Sequence, residues 1–206
     1  MKTKVKICGI KTLEVAQSSI IAGAGFLGFN FVPTSKRYIQ PEKAKAIIDK
    51  LSRSAINVGV FRDEKLEMVN QLIDYLNLDD VQLHGNESLE YVNLIENAGI
   101  IKTFSLDADF NIEETINKMK KYNVDYFLLD RKERGRGELL NLDKVRELTS
   151  NFPIILAGGL TPENVAEAVR LAKPHVVDVA GGVENDGQKD KNKIIKFIKN
   201  AKQYDI

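Results

Sequence analysis

Short apolar, β-rich runs alternate with longer amphipathic segments from one end of the chain to the other. The first run covers residues 5–8, and Thr12 then has the character of an N-cap for a helix to Ala22, with Gly23 as its stop. Further strand-like runs fall at 26–32, ended by Pro33, and at 56–61, 81–84, 100–104, 126–130, 153–157 and 176–179. Between them the helical period predicts helices at 41–51, 64–76, 88–97, 112–122 and 142–149. Pro41 suits the first turn of its helix. Thr161, Pro162 and Glu163 supply the cap, first-turn proline and early acid of a helix reaching Ala172, and a Lys-rich helix is predicted at 191–202.

Strict alternation of this kind calls for a parallel sheet, because parallel neighbours need a crossover connection between them. Eight strand–helix pairs close such a sheet on itself and leave no edge strand. The predicted fold class is therefore α/β: a single-domain (β/α)8 TIM barrel spanning residues 1–206. An open doubly wound sheet fits less well, since its usual order has fewer strands and no G-x-G-x-x-G follows strand one.

Composition narrows the function classes. With 30 basic and 29 acidic residues the net charge is +1, which removes the electrostatic argument for a nucleic-acid partner or a membrane surface. One cysteine excludes an internal disulfide and a multi-cysteine metal site, and no His/Asp/Glu cluster has metal-ligand spacing, so no metal is expected. No apolar stretch nears the roughly 18 residues needed to span a bilayer. The first residues, Met1 to Ile7, lack the apolar core of a signal peptide, and a cytoplasmic protein is expected.

In such barrels the working groups lie at the C-terminal strand ends and in the loops that follow. That rule selects Cys8, Asn30, Arg37, Phe61, His84, Ser105, Asp130, Gly158, Gly159, Asp178, Gly181 and Gly182. Cys8 reads either as a small buried residue or as a reactive thiol; Lys6, on the same strand face, favours the thiolate. Strands one and eight are neighbours in a closed barrel, so Asp178 is placed to pair with Lys6, which would weaken that effect. Asp130, after three apolar residues, reads equally as a loop cap or as a rim acid that keeps its proton, opposite Cys8. The glycine pairs Gly158-Gly159 and Gly181-Gly182 fall in the two loops where this fold holds phosphate, with backbone N–H groups as the grip. Arg37 is either a solvated loop residue or an anchor for a planar carboxylate. His84 reads first as a structural hydrogen-bonding histidine, and His175, at the other rim, as structural too.

These residues sit in recognisable company. Lys6-Ile-Cys8-Gly9-Ile10, Gly28-Phe29-Asn30-Phe31 with Ser35-Lys36-Arg37-Tyr38, and Val58-Gly59-Val60-Phe61 resemble phosphoribosylanthranilate isomerase. So do Val81-Gln82-Leu83-His84-Gly85, Leu128-Leu129-Asp130, the segment from Gly158 to Val165, and Val177-Asp178-Val179. The resemblance runs through seven of the eight units in order. It implies a metal-free and cofactor-free isomerase of tryptophan biosynthesis that works on a small-molecule phosphosugar by an Amadori rearrangement, as a monomer or homodimer. It also implies roles: Asp130 as general acid at the ribose ring oxygen and Cys8 as general base at C2′. Arg37 would hold the anthranilate carboxylate, with His84 and Asp178 near the substrate, and Gly158, Gly159, Gly181 and Gly182 would surround the phosphate.

Two departures stand out. The loop after strand six reads Gly135-Arg136-Gly137-Glu138, with an acid where the family carries a base, so no role passes to Glu138 and Arg136 is the candidate cation. After strand eight, Ala180-Gly181-Gly182 replaces a pair of hydroxyl residues, leaving backbone N–H groups for the phosphate. Two other readings stay open here: a related phosphosugar isomerase of broader specificity, and a non-catalytic phosphosugar-binding barrel. An isomerase of the histidine pathway would carry an aspartate in place of Cys8.

Overall fold

The computed structural model describes residues 2–51, 53–132 and 138–204. Every predicted strand forms, in order: β1 (Lys4–Cys8), β2 (Phe26–Asn30), β3 (Ile56–Phe61), β4 (Asp80–Leu83), β5 (Gly99–Leu106), β6 (Tyr126–Arg131), β7 (Ile154–Leu156) and β8 (Val176–Val179). Each pairs with its chain neighbours, and β8 returns to lie parallel to β1, closing the barrel. The helices between and after them are α1 (Leu13–Ala22), α2 (Pro41–Ile48), α3 (Leu66–Leu76), α4 (Leu89–Asn93), α5 (Ile112–Met119), α6 (Leu142–Thr149), α7 (Val165–Ala172) and α8 (Lys191–Ala201).

Side chains point alternately inward and outward along each strand. Phe26, Val58, Ile101, Leu128, Ile155 and Val176 form a buried cluster inside the barrel, while Leu27, Phe29, Val81, Leu129 and Val177 join the shell beneath the helices. Because both faces are covered, the strands read in the sequence as nearly continuous apolar runs. Helix ends follow local chemistry. Thr12 caps α1 by accepting from the Val15 N–H, Gly23 ends it in the left-handed region, and Pro41 opens α2.

Three elements differ from expectation. The α7 helix begins at Val165 rather than beside Pro162, because Asn164 folds the preceding segment into a loop: its side chain accepts from the Thr161 N–H and donates to the Gly159 carbonyl. The α4 helix stops at Asn93, and Asn70 reaches across to bond the Leu94 carbonyl. A small antiparallel hairpin, β9 (Glu184–Asn185) and β10 (Gln188–Lys189), follows β8. Its turn is Asp186-Gly187, both with positive φ, the pairing that a two-residue hairpin requires.

Candidate active site

Several inward positions toward the C-terminal rim of the barrel are polar, and these are joined to one another. Lys6, wholly buried on β1, places Nζ 3.0 Å from an Asp178 carboxylate oxygen on β8 and 2.9 Å from the Gln82 amide oxygen on β4. The Gln82 amide nitrogen lies 2.9 Å from His84 Nδ1, and His84 Nε2 lies 3.4 Å from Asp130 Oδ2 on β6. The other Asp130 oxygen accepts from the Arg131 N–H at 2.9 Å. Asp130 therefore caps its own loop with one oxygen and turns the other toward His84 at the rim.

Electrostatics sort the charges. Burial works against the Lys6 ammonium, but the adjacent Asp178 carboxylate outweighs it and holds the proton on more firmly than usual. Burial pushes the Cys8 thiol up from its ordinary value, and the pull of Lys6 does not offset it because Asp178 opposes a second negative charge there. Lys6 is engaged by Asp178 and Gln82, so its pull toward the thiolate is weakened in the way the strand register anticipates, and Cys8 keeps its proton. Cys8 is 7% exposed, at the mouth end of β1.

Arg37 comes in from the loop after β2 and lies across Gly9. Its Nε and Nη2 grip the two oxygens of Glu184 at 2.6 and 2.8 Å. Lys189 supports the same carboxylate at 2.9 Å and also bonds the Ala180 carbonyl at 2.8 Å. Burial would raise the Glu184 carboxyl, but these hydrogen bonds bring it down to about 2. The guanidinium is fixed at the rim with two of its five N–H donors used, which leaves donors for a planar anion.

The loops after β7 and β8 touch. A Cβ on Gly182 would stand 2.0 Å from the Leu160 carbonyl oxygen, and Gly181 borders the Arg37 guanidinium. Among the described residues the Gly159 N–H meets no hydrogen-bond acceptor. Gly158 has a different neighbour: a Cβ there would press on the Arg131 backbone at 2.6 Å and on Asp130 Oδ1 at 2.9 Å.

Sequence reasoning brought Cys8, Arg37, His84, Asp130, Asp178 and both glycine pairs to one rim, and the structure assembles all of them there. It missed Gln82, Glu184 and Lys189. Gln82 had a usable signal, being two residues before His84 on the same strand face. Asn30 and Phe61 serve locally: Asn30 accepts from the Val32 N–H, and Phe61 stacks on Phe31. His175 accepts from the Ile154 N–H at the opposite rim. Glu138 pairs with Arg131 at 2.6 Å, while Arg136 lies outside the described residues.

The sequence model of the N-(5'phosphoribosyl)anthranilate (PRA) isomerase family matches residues 5–200. The N-(5'-phosphoribosyl)anthranilate isomerase of Geotalea uraniireducens is 44% identical over 205 residues, covering 97% of this chain and 98% of its own. The solved phosphoribosyl anthranilate isomerase of Thermotoga maritima superposes with a TM-score of 0.90 at 38% identity, covering 98% of this chain and 99% of that one. A phosphoribosyl anthranilate isomerase in complex with reduced 1-(o-carboxyphenylamino)-1-deoxyribulose 5-phosphate aligns over the same shares, 98% and 99%, with a TM-score of 0.86 and 38% identity.

Proposed function

The chain belongs to the phosphoribosylanthranilate isomerase family, and from that premise we propose how its own residues divide the work. The enzyme isomerises N-(5-phosphoribosyl)anthranilate to the 1-deoxyribulose 5-phosphate product in tryptophan biosynthesis. It acts on the free phosphosugar, in the cytoplasm, as a monomer or homodimer. Asp130 gives its proton to the ribose ring oxygen as the C1′–O bond breaks, and the anthranilate nitrogen lone pair forms the iminium. Cys8, as thiolate, then removes the C2′ proton, and that electron pair closes the enolamine. Tautomerisation adds a proton at C1′ and removes one from the 2′ hydroxyl, which returns both side chains to their starting states.

Burial disfavours the thiolate, so the reacting form is the fraction of enzyme whose Cys8 has given its proton to solvent. The iminium charge then joins the Lys6 and Lys189 ammonium groups in favouring it. Arg37 holds the anthranilate carboxylate, backed by Glu184, and the N–H groups of Gly159, Gly181 and Gly182 hold the phosphate, with Gly158 packed beside Asp130. Fixing both anionic ends sets the sugar between acid and base, and such positioning contributes strongly to rate.

One observation carries this reading: the bonded line Asp178–Lys6–Gln82–His84 that ends on Asp130, with Cys8 beside its first members. The test is a fluorescence assay on substrate generated in situ. Asp130→Asn is expected to abolish turnover and keep affinity for a product analogue; undiminished turnover would remove Asp130 as the acid.

A further inference from the structure

Gln82 is 2% exposed and stands between the charged halves of the mouth. Its two ends are told apart by chemistry. The Lys6 ammonium only donates, so the Gln82 atom 2.9 Å from it is the oxygen. The atom 2.9 Å from His84 Nδ1 is then the NH2, which also only donates. A ring nitrogen that meets an obligate donor is an acceptor. The His84 proton therefore sits on Nε2, the atom 3.4 Å from Asp130 Oδ2. Thr103 Oγ1, 3.4 Å from Nδ1, can rotate its hydroxyl to donate in the same sense.

We infer that Gln82 is a positioning residue of this site: it holds His84 as the neutral Nε2–H ring, so that Asp130 faces an N–H donor and not an imidazolium. The inference deepens the acid assignment above and rests on it. An imidazolium at that distance would pair with the Asp130 carboxylate and favour the acid without its proton, the form that cannot open the sugar ring. A neutral N–H orients the carboxyl without adding that charge. The lock holds because Gln82 cannot flip: flipping would turn its NH2 onto an ammonium that Asp178 keeps in place.

Among the described residues, the charged groups on the elements around His84 have other partners. Lys6 and Asp178 neutralise each other at 3.0 Å, and Lys102 pairs with Glu87 at 2.5 Å below the loop that follows. Asp63 accepts from the Asn86 N–H at that loop, Cys8 rests as a thiol, and Arg131 is engaged by Glu138. Asp130 is the acid that faces the ring itself.

The chain has two histidines, so the ring-nitrogen spectrum of labelled protein resolves His84 directly. Wild-type neutral His84 is expected to show a bare Nδ1 and a protonated Nε2. Gln82→Met keeps the length of the side chain but neither donates nor accepts. In that variant the tautomer preference is lost and the Nε2–H is no longer held toward Asp130. kcat then falls about tenfold with KM nearly unchanged. Gln82→Glu, which preserves packing and turns the donor into an acceptor, is expected to lose more. A wild-type ring protonated on Nδ1, or an unchanged kcat in both variants, overturns the inference. An active Asp130→Asn enzyme would overturn the acid assignment and leave the tautomer result standing, so the two failures are distinguishable.

Discussion

The Lys6 ammonium and the Asp178 carboxylate meet at 3.0 Å inside the barrel, opposite each other in the register that joins the first strand to the last. Their side chains are 0% and 9% exposed, so removing one strands the other in a low-dielectric interior. Lys6→Met is expected to destabilise the fold by about 3–5 kcal/mol. Lys6→Met combined with Asp178→Leu should recover much of that stability without activity. Urea unfolding of both variants measures the difference, and equal losses would mean that the stranded Asp178 carboxylate is not the source of the cost.

Glu184 holds Arg37, and its carboxyl is brought from 4.5 to about 2 against burial by hydrogen bonds from Arg37 and Lys189. A carboxyl depressed on folding contributes stability that is present above 4.5 and is lost as pH falls toward 2. In Glu184→Gln that part of the acid slope of Tm is expected to disappear. Arg37 then loses its two-pronged support, so KM for substrate rises while kcat changes little. A variant with wild-type KM would mean that Arg37 needs no such support.

Much of this was legible before any coordinates. The barrel followed from period and count, because strands covered on both faces must be apolar throughout. The Lys6–Asp178 pair followed from strand alternation plus closure. Gln82 shares a strand face with His84, which was a usable signal, but its meaning also needs Lys6, which only the closed barrel brings to its other side. Glu184 and Lys189 were hidden by an overlooked Asp186-Gly187 hairpin, which folds both back onto Arg37 and Ala180. Alternation and closure place Lys6 beside Cys8 and Asp178 beside Lys6, but the burial that keeps the proton on Cys8 is not legible from them.

Cys8 is pushed above its ordinary value of 9.0 by burial, so the thiolate fraction of the free enzyme grows as pH rises through and past that value. The rate of alkylation by iodoacetamide is accordingly expected to keep climbing beyond pH 9, with no plateau near neutrality. Cys8→Ser should lower kcat by about a hundredfold or more, since a hydroxyl is a far weaker base. A plateau at low pH, or near-normal turnover by the serine variant, would point to a different base.

The two glycine pairs should separate cleanly. Gly158 and Gly182 both exclude a side chain, but against different neighbours: Asp130 and the Arg131 backbone for the first, the Leu160 carbonyl for the second. A methyl group at 158 must displace the acid or the strand that carries it, and its positive φ adds backbone strain. Gly158→Ala is therefore expected to depress kcat and to leave inorganic phosphate as good a competitive inhibitor as before. A methyl group at 182 instead forces the loops after β7 and β8 apart, which disperses the N–H groups assigned to the phosphate. Gly182→Ala should raise KM and the inhibition constant for phosphate together, by about tenfold, while kcat stays within a few-fold, because uniform binding is what it removes. If Gly182→Ala alters kcat alone, the phosphate is held somewhere other than between these two loops.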